Sequence, residues 1–200
     1  MTQKPEYVVQ RVTSPHWGQL PAVTLNHMDW LPPCPVAARA QACHDGECLW
    51  VRMEAEEKPV RATLTGMLDQ VCDDSCLEFF FAPNLEDERY FNFEFNPLGT
   101  LNLGFGARRA TRVRQIVKRP AEIFRPEPFL TQAGWGIVFC IPADFIRLYM
   151  PRFTLSGACA GNFYKCGDRT DTPHYLAWSP LTSATPDYHR RQDFGILHLE

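Results

Sequence analysis

The stretch Arg89-Tyr90-Phe91-Asn92-Phe93-Glu94-Phe95-Asn96-Pro97-Leu98-Gly99 decides the fold class. Phe91, Phe93 and Phe95 recur at every second position, and Tyr90, Asn92, Glu94 and Asn96 fill the places between. A period of two marks a strand with one face in a core, whereas a helix would scatter the three rings around its axis. Pro97-Leu98-Gly99 supplies a turn, and residues 100–105 return as a second strand. Upstream, residues 77–82 form a short apolar run followed by a polar loop over 83–88. The three runs predict a β-meander.

Working outward, residues 7–12 predict a first strand, and 14–35 an irregular arm rich in Pro and aromatic residues, with Trp17 and Trp30 packing it down. Residues 36–43 and 48–54 flank His44-Asp45-Gly46-Glu47, and Asp-Gly between two alternating runs is a strong hairpin signal. Residues 111–119 read as a strand with a charged outer face, 134–141 as a central strand, and 144–150 as a short helix after Pro142. From Pro151 the chain reads as loop-rich, with an edge or closing strand at 194–199. Many short strands and one short helix predict an all-β fold: a two-sheet antiparallel β-sandwich, immunoglobulin-like or jelly-roll in type, spanning residues 1–200 as one domain.

Composition narrows the function. Apolar residues make up 45% of the chain and charged residues 22%, which excludes a disordered protein. The net charge of -3 argues against nucleic acid and anionic membrane surfaces as partners. No stretch is long and apolar enough to cross a bilayer, and residues 1–10 lack the features of a secretion leader, so the expected location is the cytoplasm. In that compartment the eight Cys are expected to be mostly reduced fillers, with Cys43 and Cys48 the pair placed to face each other across the hairpin.

The polar face of the decisive strand is the first candidate site. A solvated face usually carries Lys, Glu and Thr, but this one carries Asn92, Glu94 and Asn96, and Glu78 joins it if residues 77–82 pair alongside. Amides both donate and accept, which suits sugar hydroxyls that do the same. Trp178 stands in the loop-like run His174-Tyr175-Leu176-Ala177-Trp178-Ser179-Pro180, where a displayed indole can stack on a pyranose ring. Asn162, Lys165 and His174, with His189, offer the wall of a pocket from loops. Trp50 and Trp135 lie in apolar strands and read as core.

Several of these runs together resemble a known family. Asp74-Ser75-Cys76-Leu77-Glu78-Phe79-Phe80, Tyr90 to Gly99, Asn162-Phe163-Tyr164-Lys165-Cys166-Gly167-Asp168, His174 to Trp178 and the closing Phe194-Gly195 are similar, in order and spacing, to the family 9 carbohydrate-binding modules, and especially to their stand-alone bacterial relatives. The resemblance implies non-catalytic binding of a mono- or oligosaccharide by a β-sandwich, through a pair of Trp and a polar cluster, in carbohydrate catabolism. It implies Trp178 as one stacking residue with Trp50 the nearest match for the second, Glu78 as an acidic contact, and a structural calcium; read from the residues alone, Asp73, Asp74 and Asp168 could ligate it, though without the spacing of a calcium loop. Asn92 and Glu94 stand where the xylanase-linked modules have Arg and Asn. The ligand-binding set expected is therefore Trp178, Glu78, Asn92, Glu94, Asn162, Lys165, His174 and Trp50, with no catalytic residue, no zinc site and no cofactor beyond the calcium.

Two rival readings use the same residues. Glu78 and Glu94 could act as the paired carboxylates of a glycoside hydrolase, or Cys166 and His174 as nucleophile and base. The third reading is a scaffold that serves only protein contacts. Arg108, Arg109, Arg112, Arg114, Lys118 and Arg119 read as a solvated strand or as contacts to acidic sugars. The sequence leaves the oligomeric state open.

Overall fold

A computed structural model describes residues 3–200; Met1 and Thr2, the first residues of the segment read for a leader, lie outside them. Thirteen strands join in one strongly curled mixed sheet. One half runs through β8 (Val113–Arg114), β7 (Leu101–Gly106), β6 (Tyr90–Phe95), β5 (Cys76–Ala82), β11 (Gly157–Cys166) and β13 (Gly195–Leu199). The other runs through β3 (Ala37–His44), β4 (Cys48–Glu56), β10 (Gly134–Pro142) and β9 (Glu127–Leu130). β1 (Glu6–Arg11) joins them, β2 (Val23–Thr24) pairs with β3, and β12 (Tyr175–Ala177) pairs with β11.

The all-β class is as expected, but the purely antiparallel arrangement is not. β1 pairs in parallel with β13 along Glu6–Val9 and then in parallel with β3 at Gln10–Arg11. That handover stitches the two halves together, and it places β13 inside the sheet, between β11 and β1, not at an edge. The two halves face each other across one apolar core. Phe95 and Phe93 of β6 meet Phe139 of β10 at ring separations of 4.7 and 6.1 Å.

The meander forms where the period of two places it. Phe93 pairs with Phe79 and Leu103, and Glu94 with Glu78 and Asn102, so apolar and polar residues take opposite faces of β5, β6 and β7. The hairpin at Asp45-Gly46 also forms; Gly46 has φ +97°, a conformation that favours glycine. The expected helix spans Ala143–Arg147 (α2); the long strand expected over 111–119 is reduced to β8, and a second short helix, Pro120–Phe124 (α1), follows it. The largest departure is β11. Residues 162–168 read as loop, yet most of them belong to a ten-residue strand that pairs with both β5 and β13.

All eight Cys are free thiols. Cys43 and Cys48 do not face each other: the register sets Cys43 against Trp50 and Cys48 against Pro142. No described helix is long and apolar enough to cross a membrane.

Candidate functional site

The polar face of β5–β6–β7 does not open onto bulk water. Asn92, Glu94 and Glu78 are buried, with Glu78 only 3% exposed and Glu94 4%. The lid over this face comes from three segments. The loop before β5 is tied down by Asp74, which accepts from the Thr63 and Leu64 amides at 2.7 and 2.9 Å and from Asn96 Nδ2 at 3.0 Å. The segment after β7 brings Arg109, Arg112 and Arg114, and the run after β12 brings Tyr188 and His189. Gly104 makes the approach of Arg112 feasible, because a Cβ there would strike both Asn92 Oδ1 and the Arg112 side chain.

A cleft of about 220 Å³ remains between floor and lid. Its floor is Glu78, Glu94, Asn102 and Cys166, one residue from each of β5, β6, β7 and β11. Its aromatic wall is Trp30, Tyr175 and Tyr188. Trp30 donates its indole N–H to the Ser183 carbonyl at 2.8 Å and packs against Tyr175 and Tyr188 at 5.7 and 5.6 Å. Tyr188 is fixed in turn by stacking on Tyr164 at 4.0 Å and by donating its hydroxyl to the Lys165 carbonyl. Trp30 and Tyr188 are thus each held by a hydrogen bond to a backbone carbonyl as well as by ring contacts.

Glu94 is held symmetrically. Asn92 Nδ2 donates to Oε1 and Asn102 Nδ2 to Oε2, each at 2.7 Å. Glu78 receives, among the described residues, only the Cys166 thiol, at 3.0 Å on Oε1. Among the described residues neither carboxylate has an ammonium or guanidinium within ion-pair distance. Burial, and next the facing Glu94 carboxylate, push Glu78 well above the ordinary carboxyl range. Burial also raises Glu94, with the charge of Arg112 and the two amide donors working against it. His189 is pushed down to about 2 by burial and by Arg112 and Arg109, so it lines the cleft as a neutral ring. Asn102 Oδ1, Asn92 Oδ1 and Arg112 Nε are buried without a hydrogen-bond partner among the described residues. Buried polar atoms are nearly always bonded, so these three are atoms left to bond water or a ligand; Asn102 and Arg112 line the cleft, and Asn92 stands behind it.

The structure gathers only part of the residue set expected from sequence. Glu78 and Glu94 line the cleft, and Asn92 stands behind Glu94. Trp178 is not displayed from a loop: it is 7% exposed, inside the main core, against Tyr7 at 6.4 Å and Phe163 at 5.8 Å. Trp50 lies on β4 in the other half of the sheet, donates to Asp45 Oδ2 at 2.8 Å and sits under the Arg125 guanidinium. Asn162 shares the face of Glu78 but is fully used, accepting from the Phe163 and Ser179 amides and donating to the Ser179 carbonyl. Lys165 is an odd number of residues from Asn162 on one strand, so it points to the opposite face. There it meets Glu57 and His174, both buried. The same parity removes the Cys166–His174 dyad, since Cys166 looks into the cleft and His174 Nε2 lies 2.7 Å from Lys165 Nζ.

Trp30, Tyr175, Tyr188 and Asn102 were not among the residues expected, and Arg112 was read only within the basic stretch, as part of a solvated strand or as a contact to acidic sugars. The signal for the first three was aromatic residues in Pro-rich or polar runs, but nothing local ties Trp30 to Ser183, 153 positions away.

The acidic residues named for calcium do not make an oxygen cage. Asp74 is consumed by the loop amides, Asp73 is paired with Arg169 at 3.1 Å, and the third donor near Asp73 and Asp168 is the thiol of Cys72. Calcium takes six to eight oxygens, so this set does not suit it.

Comparison with known proteins agrees with the fold. The profile of the carbohydrate-binding family 9 matches residues 16–199. Among solved structures, a candidate carbohydrate-binding protein from Bacteroides uniformis ATCC 8492 is 27% identical with a TM-score of 0.85, covering 99% of this chain and 100% of its own. A family 9 module from Caldicellulosiruptor kristjanssonii solved with cellotriose is 11% identical with a TM-score of 0.69, covering 98% of this chain and 94% of its own. The same organism's module solved with glucose is 12% identical with a TM-score of 0.69, covering 98% and 96%. A search of curated proteins gives no match. With nearly its whole length matched by the family profile, the chain belongs to carbohydrate-binding family 9.

Proposed function

We propose that the chain is a non-catalytic carbohydrate-binding unit over its whole length, and that it takes the end of a mono- or oligosaccharide in the cleft between Trp30 and the Glu78–Glu94 floor. The observation that carries this reading is an aromatic wall facing a floor of acids and amides, with Asn102 Oδ1 and Arg112 Nε left unpaired beside it. A sugar ring offers a C–H face to the wall and hydroxyls that both donate and accept to the floor. The cleft volume lies below the roughly 300–1,000 Å³ of most small-molecule sites, a size for one ring or a chain end. Neighbours solved with glucose and cellotriose support this ligand class.

In this reading Trp30 supplies contact area, Glu78, Asn102 and Arg112 bond hydroxyls, and Asn92 positions Glu94. Hydrolysis is disfavoured because Glu78 and Glu94 are direct cross-strand neighbours on one floor, whereas a hydrolase places its two carboxyls on either side of the scissile bond. The test is calorimetric titration of the parent, Trp30→Ala and Trp50→Ala with glucose, xylose, cellotriose and a uronic acid. The parent and Trp50→Ala are expected to bind alike, and Trp30→Ala to lose about thirtyfold in affinity or more. Equal affinity in Trp30→Ala sinks the placement of the site. Release of new reducing ends by the parent sinks the non-catalytic reading.

A further inference from the structure

The foot of the cleft holds two thiols that sugar binding does not require, set beside Glu78. Cys76 of β5 and Cys166 of β11 are directly opposed across the strand pair, and Glu78 follows Cys76 by two residues on the same face. One ligand atom from each of the three lies within 4.8 Å of the other two, and all three residues are buried. The thiol of Cys166 already touches Glu78 Oε1 at 3.0 Å.

We propose that Cys76, Cys166 and Glu78 form a binding site for a thiolate-preferring divalent cation of the zinc type, with its fourth position open to the cleft. A tetrahedral zinc with S ligands at about 2.3 Å and an O ligand near 2.0 Å spaces its donors roughly 3.5–3.8 Å apart, so the present spacing needs little movement. The donor set is soft, with two sulfurs and one oxygen, which selects against calcium and magnesium. Two strands of a central sheet hold the donors, a more rigid support than loops supply. Cys166 and Glu78 line the cleft while Cys76 lies wholly beneath it, so an ion there would present one face to water or to a ligand oxygen. Cys72 lines the cleft beside them, but its thiol groups with Asp73 and Asp168, so it stands next to the site and not in it. The site also accounts for a buried carboxylate that faces a second carboxylate and, among the described residues, has no ammonium or guanidinium within ion-pair distance.

This inference does not depend on sugar binding and is read without sugar. Reduced full-length protein is titrated with Co²⁺ and then Zn²⁺, following thiolate-to-cobalt charge-transfer absorption and its displacement. One equivalent of Co²⁺ should give the band, and Zn²⁺ should abolish it. Cys76→Ser and Cys166→Ser should each weaken binding about 100-fold or more, since even outer-shell partners account for 10–100-fold. Glu78→Gln, which keeps the side-chain shape, should weaken it at least about tenfold, and it decides the matter where a Cys variant does not fold. Cys72→Ser should weaken it less than any of these, and Cys34→Ser not at all. No band in the reduced parent, or an unchanged band in folded Cys76→Ser, Cys166→Ser or Glu78→Gln, overturns the site.

Discussion

Lys165 and Cys166 are adjacent on β11, yet they enter two buried polar clusters built in opposite ways. On one face, Lys165 Nζ is 3.0 Å from Glu57 Oε1, donates to the Cys166 carbonyl at 2.7 Å and to His174 Nε2 at 2.7 Å. Trp135 donates its indole N–H to Glu57 as well, at 2.7 Å. His174 Nδ1 faces the Thr172 carbonyl, which can only accept, so the ring proton sits on Nδ1 and Nε2 accepts the hydrogen bond from Lys165 Nζ. Burial and the Lys165 charge lower His174, in keeping with that neutral ring. One cation meets one anion, and the Lys165 ammonium and the Trp135 indole N–H find acceptors. On the other face, Glu78 and Glu94 meet each other, two thiols and two amides, with orphaned acceptors alongside. A closed, charge-matched cluster specifies a fold, whereas an open, mismatched one at a cleft is held at some cost in stability and is where ligands act.

The largest effect is expected from breaking the closed cluster. Lys165→Met keeps the bulk and strands the Glu57 charge. Removing one partner of a buried pair costs about 3–5 kcal/mol, which for a chain of this size lowers the melting temperature on the order of 10 °C. The double variant Lys165→Met/Glu57→Gln should recover part of that loss, because no buried charge is left unpaired. A fall of less than about 1 kcal/mol in the single variant would show that the pair is not the closed structural unit described.

Trp178→Ala comes next and separates core from site. Trp178 packs on Tyr7 and Phe163, and its ring lies so close to Gly195 that no Cβ fits there. Truncating a buried Trp costs about 3–5 kcal/mol. Denaturant unfolding should show that loss, while sugar affinity measured where the variant is still folded should stay near that of the parent. A stable Trp178→Ala variant that no longer binds sugar would return Trp178 to the site.

These residues also show how far the sequence could be read. The meander was legible because Phe91, Phe93 and Phe95 alternate with polar residues, and pattern alone sets both faces. β11 was not legible, because both of its faces are buried and two of its residues, Asn162 and Lys165, are polar with private partners, so no alternation remains. Glu78 and Glu94 could be placed together because pairing of consecutive strands is local. The aromatic wall could not, since Trp30, Tyr175 and Tyr188 come from segments that meet only after the chain has folded. Trp178 reads as loop from its neighbours Ser179 and Pro180, and its burial is decided by Tyr7, at the far end of the chain.

A smaller effect is expected at the anchor of the lid. Burial raises Asp74, but the Leu64 and Thr63 amides, the Thr63 hydroxyl and Asn96 outweigh it and leave the carboxyl below its ordinary 3.8. A depressed folded value means that this stabilisation is present above the unfolded value and is lost as pH falls through the folded one. Asp74→Asn should therefore cost about 1.5–3 kcal/mol across the neutral range, the scale of hydrogen bonds to a charged group. The gap between parent and variant should close below about pH 3.8. Thermal unfolding from pH 3 to 8 checks this; a gap that is the same at every pH would mean that the carboxylate charge contributes nothing.

The smallest effect has the opposite sign and bears directly on the open cluster. Glu78 is raised from its ordinary 4.5 by burial and by Glu94, so the folded state holds its proton more tightly than the unfolded state does. Stability from this group is then full below about pH 4.5 and falls as pH rises toward the elevated folded value. Glu78→Gln removes that dependence. Its Oε1 can still accept the Cys166 thiol, and its new amide can donate to Glu94 across the strand pair. The variant should therefore be more stable than the parent at pH 7–8, by on the order of 1 kcal/mol, with the advantage shrinking toward pH 4. The comparison is made with a chelator present, so that no cation compensates the charge in the parent. Equal stability at pH 8, or an advantage that grows on acidification, would show that Glu78 is as well matched as Glu57 and that the two faces of β11 do not differ in kind.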